Sequence, residues 1–276
     1  MAPIIDMHLH LAVRDQIHPW VLEYRRQMLK GDVKAYEDRY STPHGLEMLL
    51  DQCGVDYGVV LAGENPVTTG TVRTEQVVEF CRNSRKLIPF ATVNPFLVAR
   101  PAGEIERYVV ELGCRGVKLY PTYQHFYPND PMIYPIYAKA EALGVPIMLH
   151  TGSSVFRGSR LKYGDPIYLD DVAVDFPNLT IIMAHSGRGF WYDRAFFLAR
   201  LHENVYMEIS GLPPQKLLSY FPEFERNADK ILYGSDWPGM PHIGRNIRLV
   251  RSLPLKQETK EKVLGGNAAK ILGLST

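Results

Sequence analysis

Hydrophobic residues along this chain fall in short, nearly continuous runs. They lie at 4–10 (IIDMHLH), 57–62 (YGVVLA), 88–93 (IPFATV), 116–120 (GVKLY), 146–150 (PIMLH), 180–185 (TIIMAH), 204–210 (NVYMEIS) and 231–236 (ILYGSD). Such runs are expected of parallel strands covered on both faces. Helical patterns fill the gaps, near 45–53 and at 73–84, 103–112, 132–143, 191–202 and 256–264. Gly54, Gly113, Gly144 and Gly265 are placed to end helices in the left-handed conformation. Strands alternating with helices eight times over ~250 residues predict an α/β fold, the (β/α)8 TIM barrel. The alternative is a doubly wound open sheet, which usually has fewer strands and a Gly-rich first turn that this chain lacks.

Two features depart from the regular alternation. In the first run Asp6, His8 and His10 alternate with Ile5, Met7 and Leu9. Residues at i, i+2 and i+4 of a strand share a face, so the polar triplet is predicted to look toward the barrel axis and the apolar residues toward the helical shell. The second feature is a long first βα loop, at about 11–44, rich in aromatic and basic residues. Loops of this length are usually functional, and this one is predicted to overhang the C-terminal mouth of the barrel.

Composition narrows the partners. The chain has 276 residues, 46% hydrophobic and 22% charged, with a net charge of +1. That balance offers nothing to nucleic acid, a membrane surface or a polyanion. No run approaches the ~20 apolar residues of a membrane span. Asp6, His8 and His10 also interrupt the first run before it could act as a signal peptide. Cys53, Cys81 and Cys114 are widely spaced and read as reduced, buried thiols. The expectation is a cytoplasmic protein.

Candidate chemistry sits at the strand ends. His8 and His10 close the first run, Lys118 lies near the end of the fourth, and His150, His185 and Asp236 end the fifth, sixth and eighth. In a TIM barrel these ends meet at one mouth. Imidazoles and carboxylates gathered there suit a divalent ion of borderline softness, zinc first, with manganese or iron(II) as alternatives. Arg14 and His18 in the first loop, Arg157 and Arg188 are candidates to hold a substrate carboxylate. His125 is a candidate for the pocket lining, and Tyr120 and Trp237 for its wall.

The series D-x-H-x-H, K-L, L-H-T-G, A-H-S-G and G-S-D-W-P, with the tail GNAAKILGL at 266–274, resembles the amidohydrolase superfamily. More narrowly it resembles the amidohydrolase-related branch that includes aminocarboxymuconate-semialdehyde decarboxylase. The resemblance spans essentially the whole chain and implies one domain over residues 1–276. It implies that His8, His10, His150 and Asp236 hold one zinc-like ion and that His185 acts off the metal as acid–base or polarising group. It gives Asp6 a role in orienting ligands. A binuclear site bridged by carbamylated Lys118 is the other arrangement the superfamily offers. The leading activity implied is hydrolysis of a small-molecule amide, ester or lactone by a metal-activated water, with Asp236 as its proton acceptor. Non-oxidative decarboxylation of an unsaturated or aromatic acid is the second, and a ligand-binding barrel without turnover the third. The resemblance also allows a homodimer.

Overall fold

The computed structural model describes residues 2–274. Eight strands form the barrel: β1 (Ile5–Leu9), β2 (Tyr57–Leu61), β3 (Leu87–Phe90), β4 (Val117–Leu119), β5 (Ile147–Gly152), β6 (Ile181–Arg188), β7 (Val205–Glu208) and β8 (Ile231–Leu232). All neighbours pair in parallel, β1 through β3 in one ladder and β4 through β8 in another. Two seams close the circle. At the first, Ala91 bridges Val117 and the Lys118 N–H donates to the Ala91 carbonyl over 2.7 Å. At the second, Met7 N–H donates to Tyr233 O (3.0 Å), Asp236 N–H to His8 O (2.9 Å) and His10 N–H to Trp237 O (2.7 Å).

Helices fill the connections. α1 (Pro19–Leu29), α2 (Val33–Tyr40) and α3 (Pro43–Cys53) follow β1, and α4 (Thr74–Cys81) follows β2. α5 (Pro101–Val110) follows β3, and α6 (Pro121–Gln124) and α7 (Tyr134–Ala142) follow β4. α8 (Leu169–Asp175), α9 (Tyr192–Leu201) and α10 (Leu217–Tyr220) follow β5, β6 and β7. α11 (Ile243–Ser252), α12 (Gln257–Glu261) and α13 (Asn267–Leu272) follow β8. Apolar residues of one strand parity, among them Leu9, Val60, Ile147, Ile181 and Val205, pack against the helices. The other parity fills the barrel with Val59, Leu61, Phe90, Met148, Ile182 and Leu232.

The strict alternation expected of β1 does not hold. From Asp6 to Leu9 the strand advances three residues while its partner advances two, from Gly58 to Val60. This is a β-bulge, and it changes which side chains point inward. Ile5 and Met7 pack in the barrel interior rather than in the shell, and only Leu9 joins the shell core. His8, next to Met7, also faces inward, onto Glu208. Asp6 leaves the axis and collects two backbone donors at the bulge: its Oδ1 accepts His8 N–H at 3.1 Å and Ser235 N–H at 2.8 Å.

Other boundaries also differ from expectation. The segment at 11–44 is largely helical. Asp32 caps α2 through Ala35 N–H, and Thr42 caps α3 through Gly45 N–H. α1 and α2 form a lid, as Val21, Tyr24 and Met28 overhang the mouth. A hairpin, Gly63–Asn65 with Gly70–Val72, leaves the end of β2 and clasps the lid. Gly70 bridges Ile17, and Trp20 Nε1 donates to Thr68 O at 2.7 Å. Gly54, Gly113 and Gly144 are left-handed as expected. Gly265 is extended instead, inside a π-turn (Lys262–Gly266) that splits the predicted helix at 256–264. The carbonyl of Pro3 occupies the place a Cβ would take there. The three cysteines are free, and Cys53 is half-buried rather than buried. No helix among the described residues is long and apolar enough to cross a membrane.

Asp6→Ala leaves two buried N–H groups at the bulge unpaired. The expected result is a loss of about 2–4 kcal/mol in denaturant unfolding with an unchanged m-value.

Candidate metal centre and active site

His8, His10 and Asp236 form a close group at the mouth. His8 Nε2 and His10 Nε2 lie 3.7 and 3.6 Å from Asp236 Oδ1. One donor atom from each fits within 4.8 Å of the others. The bulge turns His8 inward, and the bond from Asp236 N–H to His8 O clips the aspartate to β1. Asp236 itself is left-handed, with φ 67°. His150, inside the end of β5, lies beyond that tight group, its ring 4.7 Å from that of His185. His150 Nε2 is buried without a hydrogen-bond partner.

His185 sits on a second bulge. Ala184 pairs with His150, but the next pairing joins Arg188 to Gly152. The intervening residues His185, Ser186 and Gly187 all have positive φ, as does Gly189, and make a tight turn. The turn brings the His185 ring to 4.9 Å from His8.

Beneath these rings lies a polar layer. Glu208, the last residue of β7, accepts from His8 Nδ1 (3.0 Å), from Ser210 N–H (2.7 Å) and from the Ser210 hydroxyl (2.8 Å). His185 Nδ1 lies 3.0 Å from Ser210 O and 2.9 Å from Ser210 Oγ. Lys118 Nζ is fully buried with no hydrogen-bond partner, 5.3 Å from the centre of the Tyr120 ring.

Burial dominates the electrostatics. It pushes His10 down to about 3 and holds His8, His150 and His185 well below the ordinary imidazole range, aided by the positive charges of Lys118 and Arg188. All four rings are therefore neutral, with one lone pair each. Burial raises Asp236 to about 6 against the pull of Arg188 and Lys118. It drives Glu208 up and Lys118 down, each toward its neutral form, and their mutual attraction opposes both shifts.

The cavity above has a volume of about 320 Å³. Its floor is the histidine cluster with Asp236, its walls include Tyr120, Tyr123 and Phe156, and α1 roofs it. Arg188 lines it, with Nη1 3.9 Å from Asp236 Oδ2 and Nη2 donating to Ser153 O at 3.0 Å. Gly211 makes this possible. A Cβ there would run into Arg188 Nη1, and would lie 3.4 Å from Asp236 Oδ2 and 3.5 Å from His185 Nδ1.

Several residues expected in the pocket lie outside its lining. Arg14 turns away to pair with Asp38, an outer lid contact. His18 stacks on Trp20 and donates to Pro66 O. His125 is held by Gly158 O at 2.6 Å. Arg157 lies over Trp20 beside a separate surface depression. Trp237 is fully buried and its Nε1 donates to Tyr36 OH at 2.9 Å, which makes it a strut between β8 and the lid. Lys118 lies within the barrel, below the cavity. Tyr120 and Arg188 do line it.

Other contributors were not expected. Glu208 and Ser210 carried a signal, since an acid and a hydroxyl close an otherwise apolar run. Arg25, paired with Glu37 at 2.7 Å and reaching the cavity from α1, gave none. Nor did Asn65, whose buried Oδ1 lacks a partner in the cavity wall.

Known proteins share this architecture. Residues 5–274 match the amidohydrolase family. A 2-amino-3-carboxymuconate-6-semialdehyde decarboxylase of Dictyostelium discoideum is 23% identical over 209 residues, 62% of this chain and 56% of that protein. The chain thus spans little more than half the length of that relative. A gamma-resorcylate decarboxylase of Polaromonas sp. is 23% identical over 305 residues, covering 92% of this chain and 90% of the relative. Among solved structures, an uncharacterised TIM-barrel protein of Bordetella bronchiseptica superimposes with a TM-score of 0.82 at 22% identity, covering 98% of both chains. A dihydroxybenzoic acid decarboxylase of Polaromonas sp., solved with manganese and 2-nitroresorcinol, superimposes with a TM-score of 0.69 at 19% identity, covering 99% of this chain and 97% of that one. This chain is a (β/α)8-barrel enzyme and belongs to the amidohydrolase family.

Proposed function

We propose that the protein is a metal-dependent decarboxylase of a small aromatic or unsaturated carboxylic acid. The observation that carries this reading is the Arg188 guanidinium, fixed beside Asp236 and His185 on the floor of a small aromatic-walled cavity. Its fork suits a carboxylate, and the ring walls suit a planar substrate. The decarboxylases among the similar proteins support carbon–carbon cleavage over the water attack that sequence reasoning put first.

His8, His10, His150 and Asp236 are the proposed ligands of one divalent ion. The donor set fits: neutral imidazoles and a carboxylate, with His8 and His10 Nε2 spaced from Asp236 Oδ1 at the roughly 3–4 Å expected of neighbours bound to one ion at ~2.1 Å. The unpartnered Nε2 of His150 suits the same role. Manganese in a similar decarboxylase supports manganese beside zinc for the ion. A bound ion would supply an electron sink for charge developing on the substrate.

In this reading Arg188 binds the carboxylate and the roof formed by α1 excludes water. The carbon–carbon bond breaks, carbon dioxide leaves, and the electron pair stays on the substrate carbon. Asp236, whose carboxyl is pushed toward its protonated form by burial, would deliver the proton that this carbon takes up and regain one from solvent after product leaves. His185, tied down through Nδ1, keeps Nε2 free to hold a substrate hydroxyl.

Elemental analysis should find about one manganese or zinc per chain, lost in the His8→Ala, His10→Ala double variant. The metal-replete protein should release carbon dioxide from hydroxylated aromatic or unsaturated acids. Turnover of lactones or amides, with no carbon dioxide from any acid, would return the assignment to hydrolysis. Asp236→Asn should abolish carbon dioxide release with the far-UV circular dichroism unchanged. Arg188→Ala should raise KM about 10–100-fold, the loss of one charge-assisted contact, with a smaller change in kcat. Gly211→Ala should act in the same direction by displacing the guanidinium.

A further inference from the structure

Glu208 and Ser210 are fully buried and form no part of the cavity wall. Their hydrogen bonds nevertheless fit an arrangement of protons, with Glu208 as the carboxylate, in which every donor has an acceptor. The Ser210 carbonyl can only accept, and it lies 3.0 Å from His185 Nδ1, so that nitrogen carries the proton. Glu208 already receives Ser210 N–H at 2.7 Å, the Ser210 hydroxyl at 2.8 Å and His185 N–H at 3.3 Å. These donors and the charge of Lys118 favour the carboxylate against the burial that opposes it, and as a carboxylate Glu208 accepts from a protonated His8 Nδ1, 3.0 Å away. The Ser210 hydroxyl spends its single proton on Glu208. Its lone pairs face His8 Nδ1 at 3.0 Å and His185 Nδ1 at 2.9 Å.

We infer that Glu208 and Ser210 are positioning residues that fix His8 and His185 as Nδ1-protonated tautomers. Each ring then presents an unprotonated Nε2 on its other side, His8 toward Asp236. The network has a second effect. His8, His185 and Glu208 form a cluster whose donor atoms lie within 4.8 Å of one another. The Ser210 hydroxyl sits among them at hydrogen-bond distances, well beyond the ~2.0–2.2 Å of metal bonds, and so occupies the place a second cation would need. As a statement about metal binding, the inference rests on the function proposed above. As a statement about tautomers it does not.

The test is a long-range nitrogen–proton correlation spectrum of the metal-free protein with nitrogen-15 histidine. Spectra of His8→Ala and His185→Ala assign the two rings. Both are expected with the proton on Nδ1, and either ring found with it on Nε2 would overturn the inference. This readout needs no variant of the network. In Glu208→Leu the His8 signal should move to a mixture of tautomers, and the Kd for Mn2+ or Zn2+ should rise about 10–100-fold, as for lost partners of metal ligands. Glu208→Gln, whose amide oxygen still accepts, should recover part of both effects. A folded Glu208→Leu protein with wild-type tautomers would also overturn the inference. If the wild-type protein takes up neither ion, the proposed function fails, while the tautomer spectrum still decides this point.

Discussion

The site depends on how the eighth strand returns to the first. Three backbone bonds join Met7, His8 and His10 to residues 233–237, and Asp6 adds a fourth tie through Ser235 N–H. This seam holds Asp236 against two histidines more than two hundred residues away in sequence. The bulge in β1 is part of the same device. In a regular ladder His8 would share the side of Asp6, away from the barrel axis. With one extra residue, Met7 closes the apolar interior and His8 opens the polar layer above it. Asp6 accepts the N–H groups that the irregularity leaves without a ladder partner, so the aspartate of the D-x-H-x-H series serves the backbone.

The lid is tied to the same seam. Trp237, one residue beyond Asp236, donates to Tyr36 of α2, whose hydroxyl donates in turn to Pro241 O. The buried Arg25–Glu37 pair locks α1 to α2, and the hairpin after β2 holds the start of α1. The roof is thereby anchored to the loop that carries the proposed proton donor. Under such a roof, with Arg188 and Asp236 each 23% exposed, charges interact more strongly than in open water. One guanidinium at Arg188 then attracts an acid more strongly than several solvated arginines at the rim would.

Much of this was legible in the sequence, for reasons that also mark its limits. Eight apolar runs report strands because burial on both faces demands it. Polar residues at their ends report a mouth because nothing else in a packed barrel tolerates them. Hence His8, His10, His150, His185, Arg188, Tyr120 and Asp236 could be singled out, and all seven line the cavity. The bulges escaped because one inserted residue leaves composition unchanged while reversing the side-chain parity. The lid helices escaped because their polar faces blur the helical period, and their order comes from contacts such as Trp20 to Thr68 that only the tertiary fold creates. Arg14, His18, His125 and Arg157 illustrate a further limit. A basic loop residue can meet a neighbouring carbonyl, carboxylate or ring as readily as a ligand, and each of these does.

The barrel interior divides its labour along its axis. The layer of Ile5, Met7, Val59, Phe90, Met148 and Leu232 is dry, apolar and stabilising. The layer above spends stability instead. It buries Lys118 without a partner and Glu208 against its own desolvation. It also holds His185, Ser186 and Asp236 in left-handed backbone conformations, each costing of order 1–3 kcal/mol. Apolar residues of similar volume would remove the desolvation terms. Polar groups kept under such a penalty are selected for what they hold in place. Two of the residues that bear the strain, His185 and Asp236, belong to the cavity floor, and the residues that bear the desolvation lie under it. Stability is therefore given up where the proposed chemistry is, and recovered one layer below.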